Sequence, residues 1–510
     1  MSEKEYIIAM EKGQSKDPLK DELTAESGND YVPARSVDVT NPRNGSKRHF
    51  VMALTDEEAD TLRTDPRVNS VHTPIEWDDD MLDFEVNHRT NWTRQSSSTS
   101  NRNNWGFLRH IEATNGWGSN VTGTRSSEKY TGHLDGTGVD VVVHEGDAAR
   151  VTHEQFYDAN GSTRYNQLQW NTLPNMSGAS TINYSYAGGN HATHVLGTMG
   201  GLTVGWAPGA QLYSCPINYL GNSQYWFDAV KEFHLNKAVG ANGFRRPTVM
   251  NMSWGYKTYL TNITGIYYRG GGSSGTSPST SLGFSYGSGG SGGDSINRIN
   301  CPIQGFESEL DELHEAGVIA TKSAGNQYQK MDIEGGLDYS NYMTRSVTTG
   351  NISAGNPLYY NQGSSNKGTD TIVVGNIDSG LYSSSEACNT SSDKGPRVDI
   401  WAAGTDIVSG GNSSNTGYLN YDGTSMAAPQ VAGMAALLVQ MNPGMTPAQV
   451  REWMINNAKT GQLYVGDTNT STYFTNNRNL MDGNNKVAYW PYSQHRPITL
   501  GNLSATNFTI

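Results

Sequence analysis

The stretch Asp422-Gly423-Thr424-Ser425-Met426-Ala427-Ala428-Pro429 runs without a break into Gln430-Val431-Ala432-Gly433-Met434-Ala435-Ala436-Leu437-Leu438. Small side chains crowd the start of an apolar helix, the composition expected of a helix buried on all sides. Ser425 falls where the turn enters that helix, so free N–H groups and the positive end of the helix dipole face its hydroxyl. A serine there is an ordinary N-cap or a nucleophile, and the neighbouring sequence has to decide between the two.

Working outward, the chain from about residue 104 alternates. The runs Val139–Val143, Gln211–Ile217, Thr248–Ser253, Val318–Ala324 and Thr371–Ile377 are short, and most are rich in valine and isoleucine. Helix-like segments at 191–199, 224–238 and 306–316 lie between them. Such alternation predicts an α/β fold, a mainly parallel sheet with helices on both faces, over 104–460. The rhythm breaks between Gly270-Gly271-Gly272-Ser273-Ser274 and Gly289-Gly290-Ser291-Gly292-Gly293, which has the composition of a flexible insertion near 270–294. Residues 1–78 read as a separate small α+β unit. Glu5–Met10, His49–Leu54 and Val68–His72 are strand-like, and Thr55-Asp56-Glu57-Glu58 starts a helix that runs to about Arg63. Residues 79–103, with Asp79, Asp80 and Gln95-Ser96-Ser97-Ser98-Thr99-Ser100-Asn101, have linker composition. Residues 461–510 form a C-terminal extension without a usable motif.

Composition narrows the function. Of 510 residues 58 are glycine, which is about 11% against a usual share near 7% and implies many tight turns and loops, not a helical bundle. A net charge of −13 argues against nucleic acid as a partner. Three cysteines, Cys215, Cys301 and Cys388, are too few for a disulfide scaffold and lack zinc-site spacing. The apolar run Tyr6–Met10 is too short for a signal-peptide core, and Met434–Met441 is too short to span a bilayer, so no membrane partner is expected and the localisation stays open.

Four further segments give Ser425 its context. Gly423-Thr424-Ser425-Met426-Ala427-Ala428-Pro429 matches, residue for residue, the nucleophile motif of the subtilisin-like serine proteases. His191-Ala192-Thr193-His194-Val195-Leu196-Gly197-Thr198 resembles their histidine motif, with alanine and leucine at two positions usually held by glycine and alanine. Ser323-Ala324-Gly325-Asn326 resembles the segment that supplies an oxyanion amide, and Asn251-Met252-Ser253-Trp254-Gly255 resembles the strand that pairs with substrate. The order acid, His, Asn, Ser is the family's own. The resemblance implies that Ser425 is the nucleophile, His191 the general base and Asn326 the oxyanion donor. It further implies that Ser253, Trp254 and Gly255 bind a polypeptide substrate, that residues 1–78 are an inhibitory prosegment, and that the reaction needs no cofactor; calcium is common in the family as a structural ion, and no loop of this sequence is assigned to a metal. His194 is read as a packing residue.

The acid has two candidates. Gly136-Thr137-Gly138-Val139-Asp140-Val141-Val142-Val143-His144-Glu145-Gly146-Asp147 resembles the family's first motif, and an ungapped count puts Glu145 at the aspartate's place. Asp147 is the only aspartate just past the strand, and both residues share its parity. Glu145 is preferred. The rival reading of the whole chain is a degenerate protease fold acting as a binding or structural component of a larger assembly. A third combines them, an active protease attached to such an assembly.

Overall fold

All six residues of Asp140–Glu145 are buried, the mark of a strand covered on both faces. The computed structural model describes residues 3–25, 38–41, 46–72, 92–95, 98–99, 104–126, 131–132, 134–177, 179–180, 188–220, 223–259, 262–274, 298–346, 354–364, 370–466 and 477–494. They divide into two compact units, 1–83 and 84–510.

In the larger unit Asp140–Glu145 lies between Gln211–Pro216 and Thr248–Met252 in a ten-stranded sheet. Across the sheet the order runs 459–460, 486–487, 400–403, 372–382, 319–323, 248–252, 140–145, 211–216, 165–167, with 385–388 paired to 372–382. The five neighbouring strands 211–216, 140–145, 248–252, 319–323 and 372–382 pair in parallel throughout. The α/β reading therefore holds. The helix Thr424–Met441 contributes Met426, Val431, Met434 and Leu437 to the main core, together with Val141 and Val143 of the central strand. Asp228–Leu235 and Gln304–Glu315 cover the opposite face through a second core that includes Val142, Met250, Met252 and Leu310. Alternation along Val141-Val142-Val143 assigns successive residues to opposite faces.

The small unit is a four-stranded antiparallel sheet in the order 38–41, 49–54, 4–10, 68–72. Its helix Asp56–Arg63 is capped as the sequence suggests, by a reciprocal box between Thr55 and Glu58. A further helix, Lys16–Leu23, and the edge strand Asp38–Asn41 complete it. Ile8, Phe50, Met52, Leu54 and Leu62 form its own core.

The edges of the large unit differ from the composition-based boundaries. Trp92 and Arg94, inside the expected linker, are fully buried, and 92–93 pairs with 124–125. Arg94 and Arg109 share the Glu386 carboxylate at 2.6 and 2.7 Å, and the Arg94 guanidinium lies 4.4 Å over the Trp105 ring. Burial alone would raise the Glu386 pKa, but the two cations hold it below the usual range. At the other end, 486–487 joins the sheet beside 400–403, and Trp490 is buried. His110 Nδ1 donates to the Ala488 carbonyl at 2.8 Å, while its Nε2 accepts from Ala403 N–H at 3.0 Å. Residues 477–494 thus belong to the unit, not to an extension. Polar composition concealed both segments because a few buried side chains anchor each. The helix expected over 224–238 is confined to Asp228–Leu235, after a short 3-10 turn at Ser223–Tyr225. The Gly/Ser stretch begins as a strand, Gly271–Ser274, paired to Ile263–Tyr268; its remainder, 275–297, lies outside the described residues.

Candidate active site

Ligand sites in parallel sheets form at the carboxyl ends of the strands, and the singled-out residues gather there. Glu145 is the last residue of Asp140–Glu145, Ser253 follows Thr248–Met252, and Asn326 follows Ile319–Ser323. His191 and Ser425 each occupy the second position of a helix, Asn190–Gly200 and Thr424–Met441.

Glu145 is 4% exposed and divides its carboxylate between two donors. Oε2 accepts from His191 Nδ1 at 3.0 Å, and Oε1 accepts from the Ser253 N–H at 2.9 Å. The strand stops at Glu145; Gly146 and Asp147 turn outward, and the Asp147 side chain is exposed beside Gly189. Crowding of the His191 ring by protein would lower its pKa, but the charge and hydrogen bond of Glu145 outweigh this and raise it above 6.5. His194 faces the other way. It is fully buried, its Nε2 is bonded to the Ile407 carbonyl at 2.9 Å, its ring stacks on Tyr421, and burial pushes its pKa down to about 3.

Ser425 Oγ donates to the Ser253 carbonyl at 3.0 Å, and Ser253 Oγ donates to the Ser425 carbonyl at 2.8 Å. The second bond has a local cause. Pro429 lacks the N–H that would bond to residue 425 within the helix, and Ser253 satisfies that carbonyl instead. Asn326 Oδ1 accepts from both N–H and Oγ1 of Thr424 at 3.0 Å. A backbone N–H only donates, so the amide orientation is fixed and Nδ2 points away from Thr424. Gly423, at φ +144°, leaves the room this requires, since a Cβ there would stand 3.2 Å from Asn326 Nδ2.

Ser253, Trp254 and Gly255 line a cleft of about 520 Å³ together with Lys322, Ser323-Ala324-Gly325, Asn326 and Ser425. Tyr256 N–H donates to Ser364 Oγ, and the Tyr256 carbonyl accepts from Cys301 N–H at 3.2 Å. The Gly255 N–H and carbonyl have no partner among the described residues. A larger cavity, about 660 Å³, lies far from these groups, at the amino ends of the strands. Its two histidines are engaged: His234 with Thr248, and His314 with Val318 and Thr371.

The sequence profile of the subtilase family matches residues 66–484. The chain belongs to that family. This subtilase is 25% identical over 463 residues to an alkaline serine exoprotease A of Vibrio alginolyticus, which covers 90% of the chain and 64% of that protein. It is 40% identical over 121 residues to an alkaline extracellular protease of Yarrowia lipolytica, covering 23% of the chain and 26% of the relative. A solved structure of a cold-adapted subtilisin-like serine proteinase aligns with a TM-score of 0.46 at 20% identity, over 76% of this chain and 97% of the other. The chain spans less than two thirds of the length of the curated relatives it matches.

Sequence reasoning missed three supporting contacts around this subtilase's candidate site, one of them made by Ser253, which it named for substrate binding alone. Thr424 fixes the Asn326 amide, Ser253 relieves the Ser425 carbonyl, and Lys322, buried behind Trp254, donates to the Trp254 carbonyl. Two of them had a signal, a proline at the sixth position of an apolar helix and a lysine within the strand Ile319-Ala320-Thr321-Lys322-Ser323.

Proposed function

We propose that this subtilase is a serine endopeptidase with Ser425 as nucleophile, His191 as general base and Glu145 as the acid that orients it. The observation that carries the reading is the 3.0 Å bond from His191 Nδ1 to Glu145, formed at the carboxyl end of the strand Asp140–Glu145. A carboxylate at Nδ1 selects the tautomer whose Nε2 keeps its lone pair. In the resting arrangement the Ser425 hydroxyl donates to the Ser253 carbonyl. A substrate N–H that pairs with this carbonyl displaces the hydroxyl, which is then free to give its proton to His191.

As Ser425 Oγ bonds to the peptide carbonyl carbon, its proton passes to Nε2 and negative charge develops on the carbonyl oxygen. Asn326 Nδ2 and the Ser425 N–H, unspent at the helix start, meet that charge; one such donor is worth about 10²–10³ in turnover in subtilisin. The C–N bond then breaks, the imidazolium returns its proton to the leaving amine, and water releases the acyl group by the same route. Gly255 supplies an N–H and a carbonyl to the substrate backbone, and polypeptides are the substrate class. Residues 1–78 act as the inhibitory prosegment, a role supported by their position and by their own hydrophobic core.

A fluorophosphonate probe tests the reading. The folded chain is expected to be labelled on Ser425, and Ser425→Ala to lose both label and peptidase activity with an unchanged circular dichroism spectrum. A folded chain that takes no label would instead be a degenerate, binding form of the fold.

A further inference from the structure

Lys322 is fully buried, yet among the described residues no carboxylate forms an ion pair with it. Its strand partners are Met252 and Val373, and its neighbours on that face of the sheet belong to the apolar core of Val142, Met250 and Ala320. A buried ammonium without a paired anion is a costly placement, and an apolar side chain of similar length would pack there more cheaply. Its one bonded partner is specific: Nζ donates to the Trp254 carbonyl oxygen and lies 4.8 Å from the centre of the Trp254 ring. The ring is held as well, by its Nε1–H donating to the His144 carbonyl at 2.8 Å.

Lys322 borders the same cleft as the segment Ser253-Trp254-Gly255 and holds that segment at the Trp254 carbonyl. Along an extended backbone successive carbonyls face opposite sides. The Ser253 carbonyl faces the cleft, where it holds the Ser425 hydroxyl. The Trp254 carbonyl is taken by Lys322, and the Gly255 N–H and carbonyl have no partner among the described residues. The segment continues past the end of the strand Thr248–Met252 and has no ladder partner of its own. Its backbone is held by Glu145 at the Ser253 N–H, by Ser364 and Cys301 at the Tyr256 N–H and carbonyl, and by Lys322 at the Trp254 carbonyl between them.

We infer that Lys322 is a positioning residue for substrate binding: it clamps the carbonyl of Trp254 and so presents the Ser253 and Gly255 backbone groups to an extended peptide. This rests on reading 253–255 as the substrate-pairing segment. Lys322 touches neither Ser425 nor His191, so its effect falls on binding of long substrates and not on the chemical step. The charged and titratable groups facing it are Glu307 on Gln304–Glu315, and Glu145 and His144 on Asp140–Glu145. Burial lowers the Lys322 pKa to about 8, so the clamp weakens as the ammonium loses its proton on the alkaline side.

The test compares wild type, Lys322→Met and Lys322→Arg on a tetrapeptide p-nitroanilide and on a single-residue ester, with the melting temperature of each variant recorded. In wild type the longer substrate should have the lower KM, with KM rising above about pH 8. Lys322→Met should raise KM for the tetrapeptide by about tenfold, the size expected for loss of one charge-assisted hydrogen bond. It should leave kcat within about twofold, leave the ester unaffected and abolish the alkaline rise in KM. Lys322→Arg, charged at every pH tested, should recover most of the affinity and remove the alkaline rise. Equal losses on both substrates, or an unchanged tetrapeptide KM in Lys322→Met, would overturn the role of Lys322. If wild type itself gains nothing from the longer substrate, the pairing role of 253–255 fails first, and the inference fails with it.

Discussion

Replacing Glu145 by glutamine exchanges one oxygen for an NH2 group, and the neighbours of that carboxylate dictate how the amide must sit. The Ser253 N–H, 2.9 Å from Oε1, needs an acceptor, so the amide oxygen stays there. The NH2 group then faces His191 Nδ1, where the carboxylate oxygen had been at 3.0 Å. Nδ1 is forced to accept, the ring proton moves to Nε2, and the atom that should take the Ser425 proton already carries one. The expected loss in kcat is about 10⁴-fold, the size seen for the aspartate-to-asparagine change in another triad enzyme and equal to about 5.5 kcal/mol of transition-state stabilisation. Single-turnover hydrolysis of a chromogenic peptide measures it, with circular dichroism as the control for folding. Asp147→Asn, at an exposed side chain without a bonded partner among the described residues, is expected to stay within about twofold of wild type. A Glu145→Gln enzyme within tenfold of wild type would refute the tautomer argument, and a large loss in Asp147→Asn alone would move the acid to that residue.

The kcat/KM profile should fall on the acid side with a midpoint above 6.5, because Glu145 raises the His191 pKa and imidazolium cannot accept the Ser425 proton; a midpoint below 6.5 contradicts this. The sign for stability is the reverse: a raised folded pKa contributes stability below the unfolded value, and this is lost as pH rises through the folded one. Gly423→Ala places a Cβ 3.2 Å from Asn326 Nδ2 at a backbone φ of +144°, so kcat should drop by roughly 10²-fold, as for a displaced oxyanion donor; unchanged turnover would remove Asn326 from that role. A chain starting at residue 104 loses Trp92 and Arg94, both fully buried, and should be less stable to urea by on the order of 3–5 kcal/mol than one starting at residue 84; equal midpoints would show that the 92–95 segment adds nothing to the core. A separately made 1–78 chain should inhibit the chain that starts at residue 84 in a peptidase assay, and absence of both binding and inhibition would make the first unit some other module.

The sequence by itself determined the parts of this protein whose physics is local. Periodicity in the valine- and isoleucine-rich runs and in the helices between them is written into consecutive residues, so the α/β architecture and the Thr55 helix cap were legible directly. Ser425, His191 and Asn326 were legible as candidates through the resemblance of their unbroken local motifs to those of the subtilisin-like proteases. Asn326's motif even carries its own constraint: a side chain on Gly325 would run into Asp393 and Asn300. Only the tertiary structure decided which carboxylate meets His191. Glu145 and Asp147 share strand parity, and what separates them is that the strand stops at Glu145, held there by pairing to Pro216 on one side and by the Ser253 N–H on the other. Those partners lie 71 and 108 residues away along the chain. The same holds for Lys322, whose partner Trp254 is 68 residues distant, and for Arg94, whose carboxylate partner is Glu386, 292 residues away. A buried charge is tolerated only where a distant element brings it a partner, and no spacing in a linear sequence records which element that will be.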